Sequence, residues 1–252
     1  MKIDRVILSS NDNPKYLEFW DLVSEAWIKI GKIKPTLFVM SDKDLGLSTK
    51  YGEVIYQKPV SGVPTAQQSQ IVRLFGTTKF PKEICLTSDL DMIPLQSRYF
   101  HDSVKGIPED NIAFYSADAY LPGSPSYPAF PMCYMCASGE TFAQVLGCSL
   151  SEFPEEVGEW MKHGHGWFTD EKVFYQKWNK WKDKDERTVH MRRGFNMGGP
   201  YTINRIDRPD GSMYDRELLY NGRYIDYHMP RPYSENKKKI DEIYRICRES
   251  IS

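Results

Sequence analysis

The chain of 252 residues lacks most of what would tie it to a membrane, a nucleic acid or an oxidising compartment. Its apolar runs are only a few residues long, far short of the roughly 20 needed to cross a bilayer, so no integral membrane segment is expected. Residues 1–10 carry no signal-peptide core, and the expected location is cytoplasmic. A basic excess is missing too. Lys and Arg number 33 against 34 Asp and Glu, a formal charge of −1, which argues against a nucleic-acid partner. No repeat of fixed period and no low-complexity linker is seen. Five cysteines are an odd number in a chain of this length, which speaks against a disulfide framework. Cys133-x-x-Cys136 has no second pair at zinc spacing and reads as buried, reduced thiols in a strand. With 40% hydrophobic and 27% charged residues, disorder and coiled coil are also excluded.

What is present suits one domain, 1–252, with a sizeable core. Aromatics stand out at 13%: 6 Trp, 16 Tyr and 12 Phe. They serve either packing or a site that stacks the flat faces of bases and sugars. The first hundred residues alternate strand and helix patterns. Residues 5–10 form an apolar run of the kind buried in a parallel sheet. Asn13 and Pro14 can cap and start a helix, and Tyr16, Phe19, Trp20, Val23, Trp27 and Ile30 give it one apolar face up to Gly31. Strands are predicted over 36–40, 54–56 and 84–87, and a helix over 65–75. That helix carries Gln67, Gln70 and Arg73 at spacings of three. The pattern predicts an α/β fold, with a central mixed, mainly parallel sheet flanked by helices. Ligands in such sheets bind at the carboxyl ends of the strands, where Asn11, Asp12, Asp42, Asp89 and Asp91 fall.

The second half is less regular. Strands are predicted over 112–116, 132–138 and 224–228, and helices over 139–146, from Thr169 onward, and over 234–247. Residues 118–131 read as a long loop, and such loops are often functional.

Asp89-Leu90-Asp91 carries the chemical case. Residues two apart in an extended segment point the same way, so both carboxylates can hold one hard cation. Mg²⁺ or Mn²⁺ suits carboxylate oxygens, and such a cation can bridge a diphosphate. The segment 83–94, Glu-Ile-Cys-Leu-Thr-Ser-Asp-Leu-Asp-Met-Ile-Pro, resembles the DxD region of GT-A fold glycosyltransferases. The order of strands and helices before it is similar as well, over roughly residues 3 to 100.

The resemblance implies a metal-dependent glycosyltransferase that moves a sugar from a nucleotide-diphosphate donor to a glycan or protein-linked acceptor. UDP is the expected nucleotide by family frequency, with GDP next. It implies that Ser9, Ser10, Asn11 and Asp42 contact the nucleoside, and that Gln67, Gln70 and Arg73 serve the ribose and phosphates. It implies that Asp91 binds the metal and that Asp89 contacts the metal, its water, the ribose or the sugar. Tyr-His-Met-Pro-Arg-Pro at 227–232 is similar to a C-terminal segment that supplies a further metal ligand, here His228, while Arg231 could hold a phosphate. Gly-His-Gly-Trp-Phe-Thr-Asp-Glu at 164–171 resembles the acceptor-side acidic motif. Asp170 or Glu171 would be the base that deprotonates the acceptor, and Trp167 could stack on a sugar. An acidic pair at a helix start is also simply favoured by the helix dipole. Residues 1–100 are thus expected to bind the donor and 101–252 the acceptor, through the loops 118–131 and 163–171.

Three other readings compete. A haloacid-dehalogenase-type phosphatase also has Asp-x-Asp after an apolar strand, but no convincing acidic partner motif follows here. A sugar nucleotidyltransferase needs a Gly-rich phosphate loop, and residues 9–14 contain no glycine. A non-catalytic carbohydrate-binding protein would suit the aromatic content but has no need of paired acids at a strand end.

Overall fold

Residues 6 to 10 are apolar or small and lack Gly, Pro, Asn and Asp, so they extend and bury both faces. In the computed structural model, which describes residues 1–120, 122–123, 126–192, 205–208 and 214–251, they lie in strand β1 (Arg5–Asn11). The Asn13 side chain then accepts a hydrogen bond from the Lys15 backbone, and Pro14 opens α1 (Pro14–Leu17). The single helix expected over 13–31 is broken. α1 gives way to α2 (Trp20–Ala26) and a π-helical turn (Trp27–Gly31), ended by Lys32 in the left-handed region. Apolar spacing alone cannot report such a break, because Phe19, Trp20, Val23, Trp27 and Ile30 stay buried across it.

The chain continues through β2 (Lys34–Met40), β3 (Glu53–Gln57), α3 (Thr65–Thr77), β4 (Ile84–Thr87), β5 (Met92–Pro94), α4 (Arg98–Val104) and β6 (Ile112–Phe114). Then come β7 (Met135–Ser138), α5 (Gly139–Leu146), α6 (Phe153–Lys162), α7 (Thr169–Lys180), α8 (Lys184–Arg187) and β8 (Thr188–His190). After the 3₁₀ turn Gly166–Phe168, Thr169 is the first residue of α7 and not its cap, and its hydroxyl donates to the Gly166 carbonyl at 2.8 Å. The last elements are β9 (Arg205–Ile206), α9 (Arg216–Tyr220), β10 (Asp226–His228) and α10 (Tyr233–Ile251).

Seven strands form one sheet in the order β3-β2-β1-β4-β7-β6-β8. β7 runs against both its neighbours, and the other pairs are parallel. This is the mixed, mainly parallel α/β sheet expected from the sequence. Period two is visible along the strands. Val6, Leu8, Leu37, Val39 and Leu86 belong to the core on one face, while Ile7, Phe38, Met40 and Cys85 belong to the other. α2, α4 and α10 cover the first face; α3, α5, α6 and α7 cover the second. α3 lies so close to β2 that a Cβ on Gly76 would sit 2.6 Å from the Phe38 ring.

A second, three-stranded sheet in the order β5-β10-β9 was not foreseen in this form. β10 runs antiparallel to β5, with Tyr227 opposite Ile93 and His228 opposite Met92, and parallel to β9. The Met229 backbone N–H donates to the Asp91 carbonyl at 2.8 Å, which fixes residues 228–229 beside Asp91. Among the described residues no helix is long and apolar enough to cross a membrane.

Candidate active site

β2 and β3 lie on one side of β1, and β4 lies on the other. The crevice between the carboxyl ends of β1 and β4 is therefore the switch point where α/β sheets bind ligands. A cavity of about 620 Å³ opens there. Its floor comes from Ser9, Ser10 and Asn11 at the end of β1 and Asp89, Leu90 and Asp91 after β4. One wall is α3, whose Ala66, Ser69, Gln70 and Arg73 follow the helical repeat. A second wall holds Trp167, Phe168, Asp170 and Glu171 at the start of α7, and a third holds Arg205, Arg208, His228 and Arg231.

Twelve of the fourteen residues given a site role from the sequence line this one cavity: Ser9, Ser10, Asn11, Gln70, Arg73, Asp89, Asp91, Trp167, Asp170, Glu171, His228 and Arg231. Two do not. Asp42 follows β2 but is exposed, where a turn closed by Ser41 Oγ accepting from the Lys43 N–H carries the chain away. Gln67 lies one residue, or about 100°, around the helix from Ala66, off the stripe that faces the cavity.

Arg73 is the electrostatic hub. Its guanidinium, almost fully buried, contacts Asp89 Oδ1 and the Ser88 carbonyl through Nη1, and Asp170 Oδ2 through Nη2 at 3.2 Å. Burial works against its charge, but the two carboxylates outweigh it and raise its pKa. Asp89 is desolvated, yet Arg73 holds its pKa below the usual carboxylate range. Asp170 goes the other way: burial raises its pKa despite Arg73. Glu171 differs from both. It accepts a 2.6 Å hydrogen bond from the Tyr120 hydroxyl, and burial followed by the charge of Asp170 raises its pKa to about 7. Its Oε2 has no hydrogen-bond partner among the described residues, and neither do Ser10 Oγ, Gln70 Oε1 and Arg208 Nε. Buried polar atoms are rarely left unpaired, so these cavity-lining atoms mark where a polar ligand would bond.

The metal set Asp89, Asp91 and His228 is not brought together as expected. Asp91 Oδ2 meets Arg208 Nη2 at 2.7 Å and Arg231 Nε at 3.4 Å, with His228 Nε2 at 3.6 Å. Arg208 also touches His228 Nε2, and Asp89 is held by Arg73. Two guanidinium groups stand where a cation would bind Asp91, and their charge outweighs its carboxylate. As placed, these residues do not fit Mg²⁺ or Mn²⁺. Among the described residues no three His, Cys, Asp or Glu side chains form a group that could hold a metal ion.

Sequence reading missed Arg205, Arg208, Tyr120 and Cys133. Arg205 grips Asp226 through Nε at 2.8 Å and Nη2 at 2.9 Å, and the Tyr134 hydroxyl donates to the same carboxylate at 2.8 Å. The spacing Arg-Ile-Asp-Arg at 205–208 was available as a signal, but nothing local ties it to Asp91. All five cysteines are free thiols. Cys136 lies buried in β7 as expected, whereas Cys133 lines the cavity outside any strand. Of the loop 118–131, Ala119, Tyr120 and Pro131 line the cavity, and Leu121, Ser124 and Pro125 lie outside the described residues.

Two solved structures are similar to this chain. The galactosyltransferase LgtC, solved in complex with donor and acceptor sugar analogues, is similar at a TM-score of 0.51 and 9% identity, over 96% of this chain and 95% of that one. The glycosyltransferase GlyE of Streptococcus pneumoniae TIGR4 is similar at a TM-score of 0.48 and 11% identity, over 99% of this chain and 63% of that one. The fold is GT-A-like. The LgtC likeness, at 9% identity, speaks to the fold alone. No protein-family model matches the chain, and no curated protein matches its sequence.

Proposed function

We propose that the chain is a glycosyltransferase that moves a sugar from a nucleoside-diphosphate donor to a hydroxyl of a glycan or protein-linked acceptor. UDP is the first donor nucleotide to test and GDP the second. The observation that carries this reading is the single cavity at the β1/β4 switch point, which joins polar strand ends, guanidinium groups and an acidic pair. Ser9, Ser10, Asn11 and Gln70 are assigned to the nucleoside. Asp42 and Gln67 have no part in this reading, because they do not line the cavity.

The acidic pair divides its roles. Asp170 is held by Arg73 and serves to fix that guanidinium. Glu171, with one oxygen unpartnered and a pKa of about 7, is suited to take a proton near neutral pH. In the proposed step the acceptor oxygen forms a bond to the anomeric carbon as the bond from that carbon to the diphosphate oxygen breaks. The electron pair leaves with the diphosphate, and the acceptor proton passes to Glu171. A single displacement of this kind inverts the anomeric configuration. The test is release of nucleoside diphosphate from UDP- and GDP-sugars, together with UDP and GDP binding. Glu171→Gln should abolish transfer and preserve nucleotide binding. Absence of binding by either nucleotide refutes the reading.

A further inference from the structure

We propose that Arg208 and Arg231 bind the donor diphosphate directly, so that diphosphate binding at this site needs no divalent cation. The inference deepens the proposed function and rests on it for the identity of the nucleotide. Four guanidinium groups line the cavity, and they are not equivalent. Arg73 is matched by Asp89 and Asp170, and Arg205 is matched by Asp226 in a two-pronged pair. Arg208 and Arg231 instead converge on one carboxylate oxygen, Asp91 Oδ2, at 2.7 and 3.4 Å. Two positive charges facing one negative charge repel a cation and attract an anion.

The donor atoms agree with the charge count. Arg208 Nε is buried with no hydrogen-bond partner among the described residues. Arg231 meets Asp91 only at 3.4 Å, through Nε, and its guanidinium lies 4.7 Å from the centre of the Tyr16 ring. The ring orients that plane without using its N–H groups. Guanidinium groups present paired N–H donors that match phosphate oxygens, and the pair can stabilise the charge that a departing diphosphate gains. Asp91 then holds the two arginines together before the ligand arrives, in place of a role as metal ligand.

The experiment is calorimetric titration of the full chain with UDP, GDP and inorganic pyrophosphate, each in EDTA and again with Mn²⁺ or Mg²⁺. The wild type should bind a nucleoside diphosphate in EDTA with an affinity within about threefold of that with metal. Arg208→Gln and Arg231→Gln should each weaken binding about 10- to 100-fold, the loss of one charged hydrogen-bonding group. Arg231→Lys, which keeps the charge but loses the paired geometry, should recover only part of it. Asp91→Asn, with nearly the same shape, should weaken binding by the same factor in EDTA and in Mn²⁺, since it loosens the anchor of the two arginines and removes no metal ligand. Thermal melts confirm that each variant is folded. Binding that disappears in EDTA, returns with Mn²⁺ and is lost in Asp91→Asn overturns the inference and leaves the transferase reading standing. Pyrophosphate binding in EDTA with no nucleotide binding does the reverse. No binding by any of the three ligands removes both.

Discussion

Arg73 offers the sharpest test of how the cavity is held together. Arg73→Met keeps most of the side-chain length and removes the charge. The buried Asp170 carboxylate then loses its cation, and so does Asp89, which is about one-third exposed. Breaking a buried ion pair from one side costs about 3–5 kcal/mol, because the remaining charge is uncompensated. Asp89 can recover some water, so the expectation is the low end, about 3 kcal/mol. For a chain of this size that is a fall of about 6–12 °C in Tm, read by differential scanning calorimetry. The sign of the pH dependence follows. Without Arg73 both carboxylates lose the main charge that lowers their pKa, burial dominates, and their folded values rise above the unfolded one. The variant then binds more protons folded than unfolded, and it loses stability as pH rises from about 4 through the raised folded values. The gap to wild type should be widest at pH 8 and should narrow at pH 5. A Tm within about 2 °C of wild type at pH 8, or a gap independent of pH, would refute Arg73 as the hub.

Three further perturbations separate base, packing and acceptor contact. With Glu171 as base, kcat/KM in the wild type should rise with pH through about 7 and then level off, and Glu171→Gln should abolish the rise along with the activity. The same raised folded pKa means that wild-type stability declines as pH rises from about 4.5 to about 7, and Glu171→Gln should flatten that part of the curve. Gly76→Ala should destabilise by about 1–3 kcal/mol in chemical denaturation, since the new methyl would meet the fully buried Phe38 ring at 2.6 Å; an equal or higher midpoint would show that β2 can yield there. Trp167, 57% exposed at the cavity wall, should be replaceable by Ala within about 0.5 kcal/mol of stability and without change in UDP affinity, while KM for the acceptor rises; an unchanged acceptor KM would remove Trp167 from the site.

Elements whose structure is local were legible in the sequence. The strands at 84–87 and the helix at 139–146 lie where apolar runs and caps place them, with Ser138 capping and Gly147 closing the helix in the left-handed region. The continuous apolar runs of β1, β2 and β4 report that both faces are covered, which is why the parallel α/β reading was available before any contact was known. The strand-end rule located the cavity but not its limits. Asp42 satisfies the rule as written, yet β2 lies away from the switch between β1 and β4, so its end opens on solvent. The stripe of α3 shows the same effect in a helix. Gln67, Gln70 and Arg73 share a spacing of three, but the cavity follows Ala66, Ser69, Gln70 and Arg73, and one residue of phase decides which glutamine faces it.

The arginine cluster around Asp91 shows why the chemistry was the least legible part. Asp91 and Arg208 are 117 residues apart, and they meet because strands of three and two residues pair β5 with β10 and β10 with β9. Strands that short have no periodicity to read, so their register is set by tertiary contacts alone. A local motif reports which side chains share a direction. It does not report the charge of the segment laid against them. Asp-x-Asp alone supports a cation site, because two carboxylates two residues apart can converge on one ion. The same two residues with Arg73 on one and Arg208 and Arg231 on the other carry the opposite balance of charge, which is the basis of the proposed anion site. The surroundings of a strand-end carboxylate are therefore decided by the second sheet, and the sign of the charge that the residues after β9 and after β10 bring to Asp91 is the property on which the proposed donor binding turns.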